Sequence, residues 1–245
     1  MRVLQISDIH LLSNKDECLL SVPVYTKFSN TMNFILENKK RLSIDFIIVT
    51  GDISHDGSLS SYDLFFDWME RLKLPFSFIP GNHDNKKVLL NLNDRVSCFS
   101  DLGSLGGDDW CFLSIDSVVD GEDFGVINHD ALSKFEVLLK KDPFRKKALF
   151  LHHHLLPVGT PLVDVCNLKN ANELLSLCNK YGVKFIGSGH AHTPFQAKIN
   201  DVIISVSPAI CFQWENGTED VSIFNASGFN IISFDEDVHV ETYFI

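Results

Sequence analysis

No apolar run in the 245 residues approaches the ~18 needed to span a bilayer; the longest pieces are short ones such as Phe46 to Val49 and Ala148 to Leu151. A membrane span is not expected. Basic residues are few: 21 Lys and Arg stand against 32 Asp and Glu, leaving −11 at pH 7. That field repels nucleic acid unless a local cation reverses it, so a phosphate-bearing substrate would need a small positive site of the kind a metal centre supplies. The six cysteines (Cys18, Cys98, Cys111, Cys166, Cys178, Cys211) include no CxxC pair and no framework spacing. They read as free thiols of a reducing compartment. Neither a GxGxxG fingerprint nor a P-loop occurs, which removes the commonest nucleotide-binding motifs. Internal repeats, low-complexity tracts and linkers are also missing. Met1 to His10 alternates apolar and polar residues and reaches Asp8 before any continuous apolar stretch, so it does not read as a signal segment, and a cytoplasmic protein is expected.

What is present is ordinary globular composition, 45% apolar and 22% charged, at a length that suits one large domain over residues 1–245. Short β-branched and aromatic runs predict strands at Val3 to Ile6, Phe46 to Val49, Phe76 to Ile79, Trp110 to Ile115, Ala148 to Leu151 and Lys184 to Ile186. Helical periods lie between them. Phe28, Met32, Ile35 and Leu36 make one apolar face; Tyr62, Phe65, Phe66, Met69 and Leu72 a second; Leu132, Phe135, Leu138 and Leu139 a third. Asn170 followed by Glu173 resembles a capping box opening a fourth helix, with Leu174, Leu177, Cys178 and Tyr181 inward. After about Asp201 closely spaced strands follow, at Val202 to Val206, Val221 to Phe224, Phe229 to Phe234 and Val238 to Phe244, and read as a meander. The expected architecture is two sheets packed face to face with helices outside.

The chemistry lies where strands end, as in open α/β sheets generally. Val3 to Ile6 runs into Ser7-Asp8-Ile9-His10, Phe46 to Val49 into Thr50-Gly51-Asp52, and Phe76 to Ile79 into Pro80-Gly81-Asn82-His83-Asp84. Ala148 to Leu151 ends in His152-His153-His154, and Lys184 to Ile186 leads through Gly187-Ser188 into Gly189-His190-Ala191-His192. Each motif alone passes for a turn or a packed histidine. Together they place imidazole, carboxylate and amide at five strand ends, which five turns do not require. Such donors without thiolate suit Mn²⁺, Fe²⁺ or Zn²⁺. They outnumber the needs of one ion, and they divide between two if one carboxylate bridges. His55, His129 and His239 fall outside this set and read as surface or capping residues.

In that order, Asp8-x-His10, Gly51-Asp52, Gly81-Asn82-His83-Asp84, the triplet 152–154 and Gly189-His190-x-His192 resemble the calcineurin-like metallophosphoesterases. Within them the chain is most similar to the bacterial class III cyclic-nucleotide phosphodiesterases of the CpdA type. Leu4 to His10, Leu151 to His154, Leu168 to Leu174 and Ser207 to Gln213 carry that likeness nearly end to end. The resemblance implies a four-layer αββα sandwich and a dinuclear centre of Fe or Mn, with Zn or Mg as alternatives. Asp8, His10, Asp52 and His192 would bind one ion; Asp52, Asn82, a histidine of the triplet and His190 the other. Setting His154 on the second His of the family's His-His-Pro motif puts the ligand at His153, with Leu155 where Pro would stand.

The implied reaction is hydrolysis of 3′,5′-cyclic AMP to 5′-AMP by a hydroxide held between the metals. His83 would be the catalytic proton donor, and Asn82, His83 and His192 would touch substrate. The segments Leu11 to Tyr25, Leu155 to Asn167 and Phe212 to Trp214 are expected to line the approach. A glycerophosphodiester or other small-diester hydrolase is the nearest rival, and a scaffold that has lost catalysis a remoter one. A phosphoprotein phosphatase fits poorly, because those resemble Gly-Asp-x-x-Asp-Arg-Gly and the stretch Gly51 to Gly57 has no Arg.

Overall fold

The structure is a computed structural model and describes residues 1–92 and 97–245. Its strands are β1 (Arg2–Ile6), β2 (Phe46–Val49), β3 (Phe76–Phe78), β4 (Trp110–Ser114), β5 (Lys146–Phe150), β6 (Val183–Ser188), β7 (Phe195–Ile199), β8 (Val202–Val206), β9 (Gln213–Trp214), β10 (Ile223–Phe224), β11 (Gly228–Phe234) and β12 (Val238–Phe244). Its helices are α1 (Val24–Leu42), α2 (Leu59–Leu72), α3 (Lys86–Leu92), α4 (His129–Lys141), α5 (Pro161–Asp164) and α6 (Ala171–Lys180).

Period-two alternation explains the layers, because the central strands are apolar on both faces. Val3, Phe46, Ile48, Phe112, Ala148, Phe150, Phe185, Ile232 and Phe234 form the seam between two sheets. Their neighbours in sequence point the other way. Leu4, Ile6, Ile47 and Val49 pack in one cluster with Phe28, Met32 and Ile35 of α1 and Tyr62, Phe65 and Met69 of α2. Leu149 and Ile186 pack with Phe135 and Leu139 of α4 and Leu174 and Cys178 of α6. The result is the expected αββα sandwich.

The first sheet runs β12-β11-β1-β2-β3, with β1, β2 and β3 parallel and the two C-terminal strands antiparallel. The second runs β4-β5-β6-β8-β7, parallel except for the edge strand β7. Register sets Ile6 beside Val49 and Val49 beside Phe78, while in the other sheet Phe150 lies beside Gly187. The carboxyl ends that carry the motifs are therefore abreast.

Two local expectations are corrected. The C-terminal strands are not one meander: β7 and β8 complete the second sheet, β9 and β10 pair alone, and β11 and β12 extend the first. Strand β7 escapes sequence reading because an edge strand needs only one apolar face, here Phe195, Ala197 and Ile199. The capping box at Asn170 does not form. Its side chain instead accepts from Ile127 N–H at 3.0 Å and donates to Ile127 O at 2.8 Å, two tertiary bonds in place of one local cap.

Candidate metal centre

Beyond the strand ends the backbone turns sharply. Asp8, His10, Asp52, His190 and His192 all have φ between 45° and 69°, and among the described residues they are half of the non-glycine residues in the left-handed region, the others being Leu20, Ser21, Ser43, Lys73 and Asn200. Such conformations cost about 1–3 kcal/mol each and persist only where surrounding structure over-determines them. Here it does. Asp8 N–H donates to Gly51 O at 3.0 Å, and the N–H groups of Ile9 and His10 donate to Asp52 O at 2.8 and 3.0 Å. The two loops are thus laced together by main chain.

Around Asp52 two groups of donors converge. On one side His10 Nε2 stands 3.4 Å from Asp52 Oδ2 and 3.1 Å from His192 Nε2, which is 3.6 Å from Asp8 Oδ1. On the other, His152 Nε2 stands 2.9 Å from Asn82 Oδ1, 3.5 Å from Asp52 Oδ2 and 3.2 Å from His190 Nδ1. Ligands about 2.1 Å from a common ion are separated by about 3.0–3.4 Å in octahedral or tetrahedral arrangements. The donor spacings match. His192 Nδ1 donates to Phe212 O at 3.0 Å and His152 Nδ1 to Thr50 O at 2.8 Å, which aims each Nε2 inward, that of His192 with a free lone pair and that of His152 with a proton an ion would displace. Asp52 serves both groups.

The electrostatics agree with a site built for cations. Burial pushes His10 and His190 well below the usual histidine range and His192 down to about 4, so these rings are neutral donors. Burial also lifts the Asp8 carboxyl to about 7, with the charge of Asp52 adding to the lift. For Asp52 burial acts upward most strongly of any single cause, but His152, His10 and His83 together outweigh it and hold the carboxyl well below its ordinary value. His152 rises to about 9 against its own burial because of Asp52. Asp84 is a strut rather than a donor: its carboxylate accepts N–H bonds from Gly81 at 2.9 Å, Ser54 at 3.0 Å and Ile53 at 3.3 Å, and the Tyr62 hydroxyl at 3.1 Å. Glycine at position 81 is obligatory, since a Cβ there would meet Asp52 Oδ1 at 2.1 Å.

The structure corrects the register expected for the histidine triplet. His152, not His153, faces Asp52 and Asn82, because β5 stops at Phe150 and the first imidazole past the strand turns toward the other sheet. His153 is held from behind, its Nδ1 bonded to Ser117 Oγ at 2.8 Å, and its ring packs against that of His190 at 4.5 Å rather than against Asp52 or Asn82. His154 stacks on His190 with ring centroids 5.7 Å apart. Asp8, His10, Asp52, Asn82, His190 and His192 lie together as the sequence suggests. His83 lies beside them, its N–H donating to Asp52 Oδ1 at 3.0 Å and its ring centroid 4.8 Å from that of His10.

One residue was missed. His55, read from sequence as a surface or capping group, lies half-buried at the site, its Nδ1 3.1 Å from His10 Nδ1 and its ring stacked on His83 at 4.7 Å. Its position three residues past Asp52, in the loop after a parallel strand, was the available signal. His129 and His239 are exposed as expected. All six cysteines are free; Cys178 and Cys211 are buried and Cys18 is exposed. Cys211 Sγ comes within 3.6 Å of His192 Nδ1, the ring nitrogen already bonded to Phe212 O, and burial holds its thiol well above the ordinary range.

His10, Asp52, Asn82, His190 and His192, with His55 and His83, floor a cavity of about 400 Å³. Leu19 and Leu20, Leu162 and Val163, and Phe212 and Trp214 form its walls, one pair from each expected approach segment. A larger cavity of about 710 Å³ lies at the opposite, amino-terminal ends of β4 and β5 beside Trp110 and Lys146. It contains none of the strand-end donors. No helix among the described residues is long and apolar enough to cross a membrane.

Two mixed sheets between helices, with paired donor groups at their facing carboxyl ends, define a metal-dependent phosphoesterase. The chain belongs to the calcineurin-like phosphoesterase family, whose model matches residues 1–194, and members of that family bind a dinuclear metal centre. It is 41% identical to a probable cyclic nucleotide phosphodiesterase of Xenorhabdus bovienii over 98% of both chains. It is 30% identical to the 3′,5′-cyclic adenosine monophosphate phosphodiesterase CpdA of Escherichia coli over 88% of this chain and 78% of that one. A dimetal phosphatase from Danio rerio superposes with a TM-score of 0.71 at 13% identity, covering 100% of this chain and 98% of the other, a likeness of fold alone.

Proposed function

We propose that residues 1–245 act as one domain that hydrolyses 3′,5′-cyclic AMP to 5′-AMP. The observation that carries the reading is the cavity: convergent donors on its floor, walls that are apolar apart from Asp123, and no Lys or Arg among its described lining residues. The floor suits one phosphate. The walls suit a flat organic group such as a nucleobase, and a second phosphate would find no cation there. The names of the relatives from Xenorhabdus bovienii and Escherichia coli support the same substrate class.

Asp8, His10, Asp52 and His192 would hold one ion, and Asp52, Asn82, His152 and His190 the other. Nitrogen and oxygen donors favour iron or manganese, with zinc or magnesium compatible. When bound, such a pair polarises phosphoryl oxygens and lowers the pKa of water. The chain does the rest. Asn82 and His192 orient the phosphate, and the left-handed turns at Asp8, His10 and Asp52 hold the donors at the separations that a common ion requires. His83 gives a proton to the departing 3′-oxygen as water adds to phosphorus and the P–O3′ bond breaks, a role worth about 10²–10⁴ in rate. A cytoplasmic setting is part of the reading, supported by the six free thiols.

The test is to strip the purified protein with chelator, reload it with Mn²⁺, and compare kcat/KM for 3′,5′-cyclic AMP, 2′,3′-cyclic AMP, a glycerophosphodiester and bis(p-nitrophenyl) phosphate. Metal-dependent preference for 3′,5′-cyclic AMP is expected. Turnover of the aryl or glyceryl ester alone would move the substrate to another diester, and no turnover at all would favour a scaffold.

A further inference from the structure

An imidazole that offers one nitrogen to a cation almost always places the proton of its other nitrogen on an acceptor, and that partner fixes ring and tautomer. For His152 and His192 the partner is main chain, Thr50 O and Phe212 O. His10 differs. Its Nε2 faces His192 and Asp52, while its Nδ1 faces a side chain, the Nδ1 of His55 at 3.1 Å.

We propose that His55 is a positioning residue of the metal centre, accepting the Nδ1–H of His10 so that His10 presents Nε2 to the ion. The inference rests on the dinuclear reading above. It requires the proton of His55 on its own Nε2, which leaves Nδ1 as the acceptor. The loop that carries His55 is fixed from several sides: His55 N–H donates to Leu11 O at 2.8 Å, Ser54 N–H to Asp84 Oδ1 at 3.0 Å, Gly57 N–H to Ser54 Oγ at 2.8 Å, and Ser13 N–H to Asp56 Oδ2 at 2.8 Å. Asp84, with no place among the donors, thereby braces both Gly81 and the His55 loop. The stack on His83 gives the same ring a second contact, so the two roles must be separated by the choice of variant.

His55→Phe keeps an aromatic ring against His83 and removes the acceptor; His55→Asn restores an acceptor oxygen near the position of Nδ1. Metal-free protein is titrated with Mn²⁺ and the free ion counted, beside kcat and KM at saturating Mn²⁺. Wild type should take two ions. In His55→Phe one of them should bind about 10–100-fold more weakly, with the other unchanged and kcat recovering as Mn²⁺ is raised, and His55→Asn should bind like wild type. Wild-type affinity for both ions in His55→Phe would overturn the proposal, as would a loss in His55→Asn equal to that in His55→Phe, which would assign the effect to ring shape. Fewer than two ions in wild type would remove the dinuclear reading itself, and the role of His55 with it.

Discussion

The main-chain N–H of His190 donates to both carboxylate oxygens of Asp8, at 3.1 and 2.9 Å, across 182 positions of sequence and from one sheet to the other. The bond closes the sandwich at the end where the donors gather. It also gives the Asp8 carboxylate one orientation, with an oxygen left toward His192.

That closeness makes Gly189 sensitive. A Cβ there would lie 1.8 Å from Ser7 Oγ and 2.6 Å from Asp8 Oδ2. Gly189→Ala should lower stability by about 1–3 kcal/mol through overpacking and weaken metal binding by displacing Asp8. Thermal melts and Mn²⁺ stoichiometry check both halves; unchanged binding would show that Asp8 does not depend on this contact.

His83 is the expected proton donor and lies outside both donor groups. His83→Ala should keep two ions and lose about 10²–10⁴ in kcat for an alkoxide leaving group, with a smaller loss when p-nitrophenolate departs. Equal losses on both substrates would point instead to a role in binding or positioning.

The triplet offers a direct comparison. His152→Ala and Asn82→Ala each remove a donor from the same group, and both should weaken one ion by far more than His153→Ala, whose ring is engaged with Ser117. Metal analysis after dialysis reads the difference. If His153→Ala loses an ion while His152→Ala keeps it, the register seen in the structure is not the functional one.

The pH dependence follows from two groups with raised pKa values. Asp8 at about 7 and His152 at about 9 hold protons in the metal-free fold that the unfolded chain releases near 3.8 and 6.5. Their stabilisation of the metal-free protein is therefore present at low pH and is lost as pH rises through about 7 and then about 9. An ion must displace those protons, so Mn²⁺ affinity should rise with pH across the same window, by about tenfold per unit for each proton released. Paired melts of stripped and Mn²⁺-loaded protein should diverge from pH 5 upward. A constant gap would contradict the assignment of both groups as ligands.

Much of the fold could be read directly because its strands are buried on both faces. Val3, Phe46 and Ile48 opposed to Leu4, Ile47 and Val49 state a two-sided strand in the sequence itself. Edge elements were harder. Strand β7 has one modest apolar face, and β9 with β10 has only two residues a side, too short for any period. The capping motif at Asn170 misled because a local pattern competes with tertiary partners, and Ile127 offered two bonds at once.

The donors were legible for a related reason. Asp8, His10, Asp52, Asn82, His190 and His192 each follow a strand whose direction the sequence implies, so their convergence needs only the parallel order of those strands. The sequence by itself thus determined the layers, the family and six of the side chains that converge at the strand ends. Which histidine of 152–154 turns inward, and that His55 reaches back to His10, were decided only by tertiary structure. The rotation of a chain leaving a strand is set by contacts with other segments, such as Thr50 O for His152 and Leu11 O for His55. Those contacts join residues far apart in the chain, and no local pattern records them.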